Sequence, residues 1–143
     1  MRFLLDTNIL SEPLRPRPNQ AIVRMLQQNE GEIATATVVF HELLFGCYRL
    51  PIGSNKRLII ETYLQSEIKQ KIPLLPYDIA AAEWFAVERA RLTAIGKTPA
   101  YADGQIAAIA QANNLVLVTN NVTDYTDFQD IKIENWFIIQ PEI

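Results

Sequence analysis

The chain commits itself within its first eight residues. Phe3, Leu4 and Leu5 form an unbroken apolar run, and Asp6, Thr7 and Asn8 follow it directly. A short run of this kind reads as a buried strand. In an open parallel sheet, ligands bind just past the carboxyl ends of strands, and Asp6 falls at such an end. Thr7 and Asn8 favour turns and helix starts, so Asp6 can equally be a side chain that caps the next helix. On this stretch alone both readings stand.

The rest of the chain alternates in the same way. Pro13, Pro16 and Pro18 make residues 14–19 a rigid connection rather than a helix interior. Asn19 is placed to cap a helix from 20 to about 29, with Ile22, Val23 and Leu26 on one face and Gly31 as its stop. Residues 32–36 read as a second strand. Thr35 or Thr37 then caps a helix reaching about residue 50, whose apolar face carries Val38, Val39, Phe45 and Gly46. Ser54 starts a helix from 55 to about 70, with Leu58, Ile59, Tyr63 and Leu64 as its apolar content. A third strand covers 72–75, and Asp78 caps a helix to about 95 that Gly96 closes. Its alanines (Ala80, Ala81, Ala82, Ala86 and Ala90) would let backbones approach closely. Thr98 and Pro99 suit the start of another helix. Residues 115–118 are a continuous apolar run, typical of a parallel strand covered on both faces. A last short strand is expected at 131–133, followed by Glu134, Asn135, Trp136 and an apolar tail. Strand and helix alternate throughout, which predicts an α/β fold with a mostly parallel sheet covered by helices.

Bulk properties narrow the classes. A length of 143 residues suits one domain, residues 1–143, with one core. With 49% hydrophobic and 20% charged residues, disorder is not expected. No apolar stretch approaches the length of a membrane span, and the amino terminus lacks the pattern of a signal peptide. Cys47 is the only cysteine, so an internal disulfide is excluded, which fits a reducing cytoplasm. A net charge of −3 argues against coating nucleic acid through many phosphate contacts. It does not argue against a nucleic-acid enzyme, because acids gathered around a metal inflate the negative count and the ion restores positive charge locally.

Polar residues recur where chemistry would need them. Asp6 and Asn121 follow strands. Glu42 falls in the apolar stripe of one helix and Asp103 in that of another, three and four residues before Ile106 and Ala107. Each has an ordinary explanation, as a cap, a paired core acid or a turn. Whether Asp103 caps its helix or lies inside it depends on where that helix begins. Taken together, three acids facing one sheet edge would repel each other strongly at low dielectric. A hard cation with oxygen ligands, Mg2+ or Mn2+, relieves this. Zinc fits badly, given one Cys and one His without ligand spacing. Such a metal suits hydrolysis of a phosphodiester, activating water and neutralising charge on an in-line transition state. A Ser-His-Asp triad lacks an identifiable third member, and no Walker A or GxGxxG glycine pattern occurs.

Four stretches carry a resemblance: Leu5-Asp6-Thr7-Asn8; Glu42 within His-Glu-Leu-Leu-Phe-Gly; the segment 99–108 with its Asp-x-x-Ile-Ala-Ala; and Val118-Thr119-Asn120-Asn121 through Tyr125. In this order and spacing they resemble the PIN-domain family, with the closest likeness to the VapC-type toxins of bacterial toxin–antitoxin pairs. The resemblance implies a three-layer α/β/α sandwich and a Mg2+-dependent endoribonuclease. Asp6, Glu42 and Asp103 match the family's acidic triad, serving as catalytic and metal-binding residues. Its fourth position, often Asp, is Asn121 here, which weakens the case for a second tightly held metal; Asp124 is the candidate substitute. Thr119 and Asn8 would orient carboxylates by hydrogen bonds. A homodimer, an RNA substrate and a cognate antitoxin, whose peptide packs across the active-site groove, are implied as well. Two rival expectations remain. One is a non-catalytic PIN-like module that binds RNA or a partner. The other is a receiver-like or phosphatase-like domain using Asp6 as nucleophile, disfavoured because Asn8 stands where a second acid is wanted.

Overall fold

The computed structural model describes residues 1–138; the apolar tail expected after Trp136 falls partly outside the described residues. Five strands, β1 (Phe3–Leu5), β2 (Ile33–Ala36), β3 (Leu74–Leu75), β4 (Val116–Val118) and β5 (Ile133–Glu134), form a wholly parallel sheet in the order β3-β2-β1-β4-β5. Six helices connect them: α1 (Thr7–Leu10), α2 (Gln20–Gln28), α3 (Thr37–Tyr48), α4 (Asn55–Tyr63), α5 (Ile79–Ala94) and α6 (Tyr101–Ala112). A π-helical segment, Leu64–Lys69, extends α4. The chain steps one way from β1 to β3, with α1 to α4 in those connections, and returns through α5 and α6 to place β4 beside β1 and β5 beyond it, an α/β/α arrangement.

The sheet centre is apolar because its residues have no access to water. Leu4, Leu5, Ala34, Leu117 and Val118 are fully buried. Phe3 meets Trp136 edge-on, with centroids 5.2 Å apart, so the segment after β5 is anchored to the first strand. Helix starts follow the expected chemistry at Asn19, Ser54 and Asp78, whose side chains accept from backbone N–H groups of the first turns.

Several local expectations are corrected. Neither Thr35 nor Thr37 caps α3; Ala36 holds that position without a side-chain bond, and Thr35 Oγ1 instead donates to Leu5 O at 2.6 Å, stitching β2 to β1. Phe45 and Gly46 face outward, and α3 packs through Val39, Leu43 and Cys47, a four-residue spacing offset from the expected stripe. Leu58 and Ile59 of α4 are exposed as well, at 65% and 62%. In α5 only Ala81 is buried among the named alanines, with Ala82 half-buried. The close approach of α5 to α6 comes from Gly104, where a Cβ would overlap the ring of Phe85. The last strand lies at Ile133–Glu134, one to two residues later than expected.

Candidate active site

Strands β1 and β4 lie side by side, and the sheet grows away from them in opposite directions. A crevice opens at the carboxyl ends of such a pair. The residues that step off these two strands are Asp6 and Thr119. Asp6 N–H donates to Val118 O at 2.9 Å, which ties the two strand ends together.

Asp6 is 3% exposed, and its carboxylate accepts four hydrogen bonds. Oδ1 receives Thr7 N at 2.8 Å and Thr7 Oγ1 at 3.2 Å; Oδ2 receives Thr119 Oγ1 at 2.9 Å and the Tyr125 hydroxyl at 3.1 Å. The two readings of Asp6 therefore coincide. One oxygen serves the start of α1, and the other belongs to a buried polar network between distant parts of the chain.

Two more acids approach from helices. Glu42 lies midway along α3, and Asp103 is the third residue of α6; both are half-buried. Helix α6 begins at Tyr101 after Ala100, so Asp103 sits in the first turn and is not the cap, and Thr98 bonds to Thr93 Oγ1 instead. Burial raises the pKa of the Glu42 carboxyl, the charges of Asp6 and Asp103 add to the rise, and exposed His41 opposes it. Burial also raises Asp103, with Asp124 and then Asp6 adding to it and the Tyr125 hydrogen bond opposing. The acids thus sense one another through a medium that screens them poorly. Ion pairs among the described residues engage Glu12, Glu67, Glu88 and Asp127, and none includes Asp6, Glu42 or Asp103.

Thr119 is the hub of the network and is fully buried. Besides donating to Asp6, its Oγ1 accepts from Asn8 Nδ2 at 3.3 Å and from Asn121 N at 3.0 Å. Asn8 Oδ1 takes the Asn120 N–H at 2.8 Å, so Asn8 reaches Asp6 through Thr119 rather than directly. Asn121 and Asp124 are exposed; Asp124 acts on Asp103 by charge. Tyr125, which the sequence marks only as the end of the last resembling stretch, is a site residue as well. Its ring is 1% exposed, and its hydroxyl lies 3.1 Å from Asp6 Oδ2 and 3.4 Å from Asp103 Oδ1. The available signal was a phenol where a purely apolar ring would have served packing.

Beside this cluster runs a groove of about 780 Å3, with Glu42 among its lining residues together with Leu14, Arg15, Leu43, Lys56 and Ile59. Arg15 is paired with Glu12, and two further basic residues are structurally engaged. Arg57 donates to Tyr48 O and Leu50 O, and Arg91 is paired with buried Glu88.

The donors gathered here are oxygens, which suits a hard cation. His41 is exposed and buried Cys47 directs its thiol to Arg57 O, so neither nitrogen nor sulfur joins the set. Among the described residues no three His, Cys, Asp or Glu side chains close into a cage for an ion. An open set of carboxylates matches Mg2+, which is held by one or two of them and keeps much of its water.

A family model described as PIN domain matches residues 3–131. Toxin FitB of Neisseria gonorrhoeae is 35% identical over 125 residues, covering 86% of this chain and 90% of that protein. A protein named tRNA(fMet)-specific endonuclease VapC, from Shigella flexneri, is 27% identical over 136 residues, 95% of this chain and 98% of its own length. Among solved structures, FitAB bound to a DNA fragment superposes with a TM-score of 0.86 at 28% identity, covering 99% of each chain.

Proposed function

The chain belongs to the PIN domain family, and from that premise we propose that it is the ribonuclease toxin of a toxin–antitoxin pair, with Asp6, Glu42 and Asp103 holding a divalent ion. The observation that carries this reading is convergence. The Tyr125 hydroxyl joins Asp6, just past β1, to Asp103 of α6, and the charges of both raise Glu42 of α3, with no cationic side chain paired to the three acids among the described residues. The names of relatives support the same direction, as they include a toxin and a tRNA(fMet)-specific endonuclease.

A bound Mg2+, or Mn2+ in its place, lowers the pKa of a water and neutralises charge that builds up on a phosphodiester under attack. The residues divide the remaining work. Asp6, held by four hydrogen bonds, is the fixed anchor. Thr119 sets its plane, and Asn8 sets Thr119. Glu42 and Asp103 are less tightly held and bring negative charge from the two flanking helices. Asn121 puts a neutral amide where a further acid would favour a second ion, and Asp124 is the carboxylate nearest in sequence to replace it.

The groove lined by Leu14, Leu43 and Ile59 runs up to Glu42 and suits an apolar segment of an antitoxin lying over the site. Solved relatives crystallised as FitAB and VapBC complexes give this partner its precedent. No helix among the described residues is long and apolar enough to cross a membrane. A cytoplasmic homodimer completes the proposal, with exposed Ile79 and Val87 of α5 offering an apolar face to a second copy.

The test is direct. Purified protein should cleave RNA with Mg2+ and not with EDTA, and Asp6→Ala should abolish cleavage while retaining a cooperative melting transition. Cleavage by Asp6→Ala at the normal rate would sink the site. The neutral, exposed Asn121 favours a second reading, an RNA- or partner-binding module without activity; it predicts no cleavage at any Mg2+ or Mn2+ concentration.

A further inference from the structure

Tyr125 does not fit the description of a packing residue. Its ring is buried against Phe128, with centroids 6.5 Å apart, and that contact needs no hydroxyl. The hydroxyl nevertheless sits between the two carboxylates that come from opposite ends of the chain, 3.1 Å from Asp6 Oδ2 and 3.4 Å from Asp103 Oδ1. At 1% exposure it reaches them from the core side, away from any substrate. It therefore cannot pass a proton to RNA, and it cannot be a catalytic residue in that sense.

Its position has a mechanical consequence. A phenol owns one proton, and the Tyr125 hydroxyl shares it between Asp6 Oδ2 at 3.1 Å and Asp103 Oδ1 at 3.4 Å, the larger share going to Asp6. The oxygen then stands as a fixed neutral post beside Asp103. Two carboxylates in a poorly screened site drive each other apart. Asp6 cannot move, because three other donors also hold it. Asp103 is the less restrained partner, half-buried in the first turn of its helix.

We propose that Tyr125 is a positioning residue that fixes the spacing of Asp6 and Asp103 from the buried side and so sets the affinity of the site for a divalent ion. This rests on the metal-site reading given above. The post itself is held by its own loop. Phe128 packs against Trp84 and Phe85 of α5, and Gln129 N–H donates to buried Glu88 at 2.6 Å. The loop is thus tied to α5 by the polar Gln129–Glu88 bond, which Phe128→Leu leaves in place.

The test is Mn2+ binding to the full chain, read from the loss of the free-ion paramagnetic resonance signal, alongside melting in EDTA. Tyr125→Phe removes the post and keeps the ring. It should bind Mn2+ about fivefold more weakly, the size of one lost hydrogen bond, while its metal-free melting transition stays cooperative and falls by only a few degrees, because Asp6 Oδ2 keeps Thr119 as a donor. Phe128→Leu should do the reverse, lowering the melting temperature and leaving Mn2+ affinity within about twofold. Wild-type or tighter Mn2+ binding by Tyr125→Phe overturns the inference and leaves the metal site standing. So does an equal loss of affinity in Phe128→Leu, because packing alone would then explain the effect. Failure of the unaltered chain to bind Mn2+ overturns the metal site itself, and this inference with it.

Discussion

Thr119 shows how much one small side chain can carry. Its hydroxyl joins Asp6, Asn8 and the Asn121 backbone in a pocket without water access. Thr119→Val keeps the shape and strands those partners. It should cost about 1–3 kcal/mol, measurable by urea unfolding, because buried polar groups left unpaired lose their full desolvation energy. Protonation gives a second handle. The folded-state pKa values of Glu42 and Asp103 lie above their ordinary values, through burial first and neighbouring acids second. Protons therefore bind the folded chain more tightly than the unfolded one. The stabilisation from these groups is complete below the ordinary carboxylate range and is lost as pH rises through the raised values. In EDTA, the Glu42→Gln variant should lose less melting temperature than the unaltered chain between mildly acidic and neutral pH. An identical slope in both would remove Glu42 from the account. Asp6 was readable in the sequence because it ends an apolar run. Tyr125 was legible only as a phenol, since nothing local tells that its hydroxyl meets acids 119 and 22 residues away in the chain.

At the scale of elements, the pair α5 and α6 depends on a missing atom. Gly104 gives Phe85 room for its ring, and the next residue back is Asp103. Gly104→Ala must move a helix or a buried ring, at a cost of about 1–3 kcal/mol or more, and it should weaken Mn2+ binding by displacing Asp103. Circular dichroism melts together with a metal titration would check both. Glu88 plays a comparable part for the following loop. Its carboxylate takes Arg91 at 2.9 and 3.0 Å and Gln129 N at 2.6 Å, while Arg91 also donates to Asp127 O. Glu88→Ala should speed amide hydrogen exchange over residues 125–130 more than elsewhere. Helix and strand positions were legible because caps and apolar runs are local signals. The faces of α3 and α4 were not. Val38, Phe45, Leu58 and Ile59 suggested core-facing stripes, yet Phe45, Leu58 and Ile59 remain exposed, because hydrophobicity alone cannot tell a core from a surface kept for a partner.

For the whole molecule, the topology explains why residues 6, 42, 103 and 119 meet. A parallel sheet whose order reverses between β1 and β4 leaves its crevice at that one place. The groove beside it can be tested without harming the fold. Ile59 is 62% exposed, so Ile59→Glu should leave stability within about 0.5 kcal/mol. It should still sharply weaken binding of the cognate antitoxin, measured by calorimetry with the purified partner. Unchanged binding would place the antitoxin elsewhere.

Glu42 is at once a member of the acid cluster and part of the groove wall. Whatever settles on that wall and alters the standing of Glu42 must change the grip on an ion, and the ion must return the effect in equal measure. A neutralising protein and a divalent metal would then be thermodynamic antagonists or allies, never indifferent to each other. Which of the two holds would appear as a sign: titrating Mg2+ either loosens or tightens the complex.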